Sequence, residues 1–113
     1  MKEIKAIIQP FMLDKVLLAL EQLGDLPGLT VSQVTGWGKS RAQNAPDAVD
    51  RSAHRFAKKV KLEIVIADDL AERVVSAIER EAHSGNQGDG KIFVLEVCQA
   101  VKIRTGERGP RAI

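Results

Sequence analysis

The chain has 113 residues, 44% apolar and 28% charged, with 17 Lys+Arg against 15 Asp+Glu, one Cys and no Tyr. A single domain spanning 1–113 buries about two-thirds of its unfolded surface at this size, and this composition excludes a disordered or fibrous chain. The lone Cys98 excludes an internal disulfide and a cysteine-cluster metal site, and no apolar run approaches the roughly 18 residues of a membrane span, so a cytoplasmic protein is expected.

Glu3–Gln9 is β-branched and partly alternating, a short strand that Pro10 stops. Leu13, Val16, Leu17, Leu20 and Leu23 recur at spacings of three and four, which predicts a helix capped by Asp14 and ended by Gly24. Pro27-Gly28 turns the chain into a second strand, Leu29–Thr35. From Gly36 to Lys58 neither period is present; the stretch is small and polar, contains Pro46, and reads as a long loop. Val60–Ala67 is the next strand, with Leu62, Ile64 and Ile66 on one face. Asp69 and Glu72 fit a capping box for a second helix with the stripe Ala71, Val74, Val75, Ile78 and Ala82, ended by Gly85. A Gly-rich turn leads into a strand over Lys91–Val97, and Ala100–Ile103 reads as a short last strand.

This order predicts an α+β, ferredoxin-like (βαβ-βαβ) fold: two helices on one face of a four-stranded antiparallel sheet. Ile64, Ile66, Ile92 and Val94 are expected on the uncovered face, where further copies of the chain would cover them.

The net charge of +2 hides an uneven distribution. Gly38 to Lys61 carries seven cations against two anions, and Lys102 to the end carries four against one, on an otherwise acidic body. Two basic segments point to a polyanionic ligand. Gly85 to Lys91 spells G-x-x-x-x-G-K, but Ile92 replaces the Ser/Thr of a phosphate loop and a strand follows where a helix is needed. What remains is a Gly-rich turn whose backbone N–H groups can gather around an anion beside Lys91. Lys102 and Arg104, alternating on the last strand, can complete a three-cation clamp. His54 and His83 lack a third ligand at zinc spacing, so no metal site is expected. Cys98, between apolar neighbours, reads as a buried inert thiol. No catalytic constellation stands out and no base-stacking aromatics accompany the basic loop; neither an enzyme nor a nucleic-acid binder is indicated. A weak ATPase built on Lys91 and Arg104 is the alternative.

The segments I-I-Q-P-F with L-D-K-V, G-W-G, V-K-L-E-I-V-I, S-G-N-Q-G-D-G-K-I-F and I-R-T-G-E-R-G-P-R-A-I together resemble the PII nitrogen-regulatory signal-transduction family over essentially the whole chain. The resemblance implies a homotrimer of ferredoxin-like subunits. Each cleft between subunits would bind ATP or ADP, with AMP a further candidate. A T-loop (about 37–59) would touch a regulated partner, with a B-loop (about 84–91) and a C-terminal loop (about 102–113) at the nucleotide. By position, the family's nucleotide contacts fall on Gly36, Gly38 and Lys39 at the T-loop base. Gly88, Asp89, Gly90 and Lys91 match the phosphate cradle, Lys102 and Arg104 the C-terminal loop, and Thr30 and Val65 the adenine pocket. Ser40 and Lys59 fall on the positions of the 2-oxoglutarate effector. Lys59 matches the family lysine, but Ser40 replaces a Gln that holds Mg2+ and the effector, which counts against 2-oxoglutarate sensing; a sensor that retains it is the other alternative. Ser52 stands where members carry a modifiable Tyr, so uridylylation is excluded. The partner is expected to be a membrane transporter or metabolic enzyme, with recruitment of the protein to the membrane in the former case.

Overall fold

The computed structural model describes residues 1–37, 48–51 and 54–113. Strand β1 (Lys2–Ile8) is followed by a 3₁₀ turn at Pro10–Met12 and helix α1 (Leu13–Leu23). Strand β2 (Thr30–Gly36) comes next, then β3 (Ala48–Arg51) and the long β4 (His54–Ile66). A second 3₁₀ turn (Asp68–Leu70) opens helix α2 (Ala71–Ala82), and β5 (Gly90–Glu96) completes the sheet. The strand order is β2-β4-β1-β5, antiparallel throughout, with β3 paired to the N-terminal part of β4. This is the ferredoxin-like arrangement.

The core lies between the helices and one face of the sheet. Alternation puts Ile4, Ala6 and Ile8 of β1 and Val60, Leu62, Ile64 and Ile66 of β4 against Val16, Ala19 and Leu20 of α1 and Val74, Ala77, Ile78 and Ala82 of α2. Ile64 and Ile66 are thus 1% and 0% exposed in the core, not on the uncovered face where the sequence reading put them. The register explains it: Ile64 lies opposite Ile4 and shares its face. Ile92 also packs on this core, and Val94 shares its face but is 51% exposed at the sheet edge. The uncovered face instead carries the other set, Glu3, Lys5, Ile7, Lys61, Glu63 and Val65, with ion pairs Lys5–Glu3 (3.9 Å) and Lys61–Glu63 (3.5 Å).

Neither helix is capped as the sequence suggested. Met12 and Leu70 occupy the N-cap positions without side-chain caps. The preceding 3₁₀ turns, closed by Met12 N–H to Gln9 O (3.0 Å) and Leu70 N–H to Ala67 O (3.1 Å), take the place of a polar cap. Glu72 accepts from Ser76 instead (3.3 Å). Helix α2 ends at Ala82, before Gly85, whereas Gly24 at φ +67 does end α1.

Further expectations are corrected. Ala100–Ile103 is not a strand: Val101 makes one isolated bridge to Arg108, and the chain reverses immediately. Lys102 N–H donates to Glu107 O (2.8 Å) and Gly106 N–H to Lys102 O (2.7 Å), with Gly106 at φ +77, so Lys102 and Arg104 do not alternate along a strand. Cys98 is exposed, because β5 stops at Glu96 and the thiol lies beyond it. Part of the stretch read as aperiodic loop is also strand, since β3 pairs Ala48 to Ala57 and Arg51 to His54. Among the described residues, no helix is long and apolar enough to cross a membrane.

Candidate functional site

The residues singled out in the sequence fall into two groups at opposite ends of the sheet. The first forms where β1 and β2 end, β4 passes and β5 begins. Lys59, on β4 opposite Val34, donates from Nζ to the carbonyl of Gly88, and its side chain runs beside Gly36. Gln9, at the end of β1, brings Nε2 to 2.9 Å from where a Cβ on Gly88 would sit, and Lys59 Nζ lies 3.3 Å from the same point. Lys91 is exposed on β5 opposite Ile7, on the uncovered face. Burial holds the Lys59 ammonium below its ordinary pKa, while the Asp89 carboxylate opposes that shift.

The turn itself is held from inside. Asp89 accepts from Ser84 N–H (2.8 Å) and Gly85 N–H (2.9 Å) through Oδ2 and from the Ser84 hydroxyl through Oδ1. The Ser84 hydroxyl, then these two N–H groups and the nearby His83, hold the Asp89 carboxyl below its usual range, against an opposing cost of desolvation. Gly88 and Gly90 sit at φ +91 and +106. Among the described residues, the N–H groups of Gln87 and Gly88 have no hydrogen-bond acceptor.

The second group lines a cleft of about 700 Å³ where β1 and β4 meet the loop before β2. Thr30, Val65 and Lys102 lie here with Glu3, Gly28, Glu63 and the C-terminal Ala112 and Ile113. Arg104 is exposed in the adjoining turn. A further cleft of about 750 Å³ at the far end of β2, bordered by Pro10, Gln33, Thr35 and Lys58, includes only Lys59 from the candidate set. Gly38, Lys39, Ser40 and Ser52 lie outside the described residues. Among the described residues, no three His, Cys, Asp or Glu side chains gather to hold a metal.

A family profile described as "Nitrogen regulatory protein P-II" matches residues 1–107. The chain belongs to the P-II family. Curated relatives named nitrogen regulatory protein P-II cover the whole chain and are themselves wholly covered. They include proteins from Bradyrhizobium diazoefficiens (48% identical) and Rhodospirillum rubrum (46%). Nitrogen regulatory protein P-II 1 of Escherichia coli is 43% identical over the same full span. The P-II family is one of regulatory signal-transduction proteins.

Three residues beside these candidate groups were not singled out in the sequence: Gln9, Ser84 and Glu63. Gln9 carried a usable signal, since a polar residue between a strand and Pro10 must sit at the sheet's end. Ser84 is legible only once Asp89 is seen to fold back five residues. Glu63 looked like ordinary strand alternation with Lys61.

Proposed function

We propose that this chain works as a trimeric regulator that binds an adenine nucleotide, ATP or ADP, between neighbouring subunits and reports its occupancy to a partner protein through the loop at 37–59. P-II proteins in general bind adenine nucleotides and 2-oxoglutarate and act on partners, typically as trimers. The observation that carries the reading for this chain is the separation of the two candidate groups. Thr30 and Gly36 stand six residues apart on β2, as do Val65 and Lys59 on β4, a span of about 20 Å along the strands. One nucleotide does not bridge that distance from base to phosphates. Two half-sites of complementary kind on one chain fit a ligand shared between copies: Thr30, Val65, Lys102 and Arg104 from one, and Gly36, Gly88, Gly90 and Lys91 from its neighbour.

The exposed apolar residues support the same assembly. Phe93 (48%), Leu95 (40%), Val101 (46%) and Ile103 (98%) cluster along β5 and the turn beyond it, a surface suited to burial against another copy. The phosphate end offers free N–H groups and Lys91, and Arg104 adds a fork-shaped donor from the neighbour. Nucleotide occupancy would then act by population shift, stabilising whichever loop arrangement it prefers. The regulated partner would be a transporter or metabolic enzyme reached from the cytoplasm.

Subunit mixing tests the shared site. Lys91→Ala and Arg104→Ala should each weaken ATP by roughly 1.5–3 kcal/mol in calorimetry, the range for hydrogen bonds to charged groups. Random mixing of the two variants should restore wild-type affinity to about a quarter of the sites, because one interface in four then pairs an intact Lys91 with an intact Arg104. Absence of any recovered site in mixed assemblies would refute the shared cleft.

A further inference from the structure

We propose that Asp89 is a positioning residue: through Ser84 and Gly85 it shapes the 84–90 turn so that the Gln87 and Gly88 N–H groups and Lys91 are set to receive an oligophosphate, without Asp89 itself touching the ligand. The inference rests on the nucleotide reading above and assigns the roles within it.

An acidic side chain in an anion-binding turn is at first sight misplaced, since it would repel phosphate. The geometry removes the conflict. Both carboxylate oxygens are engaged within the turn by three donors: the Ser84 and Gly85 N–H groups and the Ser84 hydroxyl. The Ser84 oxygen in turn accepts from Asn86 N–H (3.2 Å), and His83 Nδ1 lies 3.9 Å from Asp89 Oδ2. The negative charge is spread over the start of the turn, and the chain between Asn86 and Asp89 is forced to arch over it.

That arch is fixed again from the sheet side. Lys59 donates to the Gly88 carbonyl, which turns this peptide's oxygen toward the sheet, and Gln9 presses against Gly88 from below. Gly88 itself sits at φ +91, and among the described residues its N–H and that of Gln87 have no acceptor. A phosphate group supplies the missing acceptor, and because the turn is already ordered, little conformational freedom is lost on binding. Ser84 is therefore as necessary as Asp89, although neither meets the nucleotide.

The test uses the full-length protein with Asp89→Asn, Ser84→Ala and Ser84→Thr. ATP affinity is measured by calorimetry, adenosine binding by ligand-detected NMR, and amide exchange of Gly85 and Gly88 in ligand-free protein. Asp89→Asn and Ser84→Ala are expected to lose about tenfold or more in ATP affinity and to expose the turn amides to faster exchange, with adenosine binding unchanged. Ser84→Thr, which keeps the hydroxyl, is expected to restore both. Variants that bind ATP as the wild type does would overturn the positioning role alone, and so would parallel loss of ATP and adenosine. Wild-type protein that binds no ATP would overturn the nucleotide reading and this inference with it.

Discussion

Gly90 offers the sharpest separation between what the fold requires and what a ligand would require. A Cβ at this position would stand 1.7 Å from the Ile7 carbonyl oxygen, 2.8 Å from its carbon and 3.3 Å from Ile8 Cα, on a backbone at φ +106. The dihedral alone costs on the order of 1–3 kcal/mol for an L-residue. Relief of the clash requires the start of β5 to lift from β1, loosening the pairs Ile8 to Gly90 and Ile7 to Lys91 at about 1 kcal/mol per lost hydrogen bond. Gly90→Ala should therefore destabilise by roughly 3–5 kcal/mol, a fall in thermal midpoint of about 12 °C or more for a domain of this size. Gly85→Ala is the matched control. It shares a positive φ, +86, but its Cβ would meet nothing closer than His83 Nε2 at 3.8 Å, leaving the dihedral cost alone. Scanning calorimetry of both variants checks the difference. Equal losses would refute the backbone clash and return Gly90 to the phosphate cradle as its main reason for being glycine.

Other outcomes follow from the same geometry. Ile78→Ala, at a fully buried position under the sheet, should cost about 2–5 kcal/mol in urea unfolding. Ile64→Asp should abolish the folded subunit, whereas Phe93→Asp should leave a folded chain with altered sedimentation; equal effects would contradict the assignment of faces. The Asp89 carboxyl is depressed in the folded state, so its contribution is present above its ordinary pKa of 3.8 and lost as pH falls through the lower folded value; Asp89→Asn should flatten that part of the acid-unfolding curve. Lys59 carries the same sign in the alkaline range. Its folded pKa lies below the ordinary 10.5, so the unfolded chain binds more protons between the two values and stability should rise with pH there, a rise that Lys59→Met removes.

The helices were legible because their stripes are long and strictly spaced, and burial of Val16, Leu20, Val74 and Ile78 follows that spacing. The faces of the sheet were not. Period two says only that Ile64 and Ile66 share a face; which face the helices cover depends on their crossover, and Lys61 and Glu63 on the alternate set were the better clue, since paired charges tolerate the uncovered side. The end of the chain misled for a local reason. Val101 to Ile103 has strand composition, but Thr105-Gly106 reverses the chain too soon for a ladder to form. The β3–β4 hairpin was missed because its residues lack apolar alternation, and its pairing extends a strand whose core-facing half lies elsewhere. At the candidate site, residue types were readable and their grouping was not: nothing in a linear order shows that Thr30 and Gly36, on one strand, serve different ends of it.

The G-x-x-x-x-G-K string illustrates the limit of motif reading and what replaces it. Its glycines have unrelated causes. Gly85 lies at a positive φ with open space around it, and Gly90 is demanded by the Ile7 backbone whatever the turn binds. Gly88, between them in the turn, is where Gln9 and Lys59 close in, and among the described residues its N–H has no acceptor. A pattern match scores the first and last of these glycines, the two that carry no information about an anion. The informative positions are Gly88, the Asp89 whose carboxylate folds back onto Ser84 and Gly85, and Lys91 on the uncovered face. Their arrangement comes from a helix-to-strand connection, not from a strand-to-helix phosphate loop. Any affinity for phosphate in this chain has therefore to be argued from unpaired N–H groups and the cations beside them, and loss of binding in Gly90→Ala would say nothing about it.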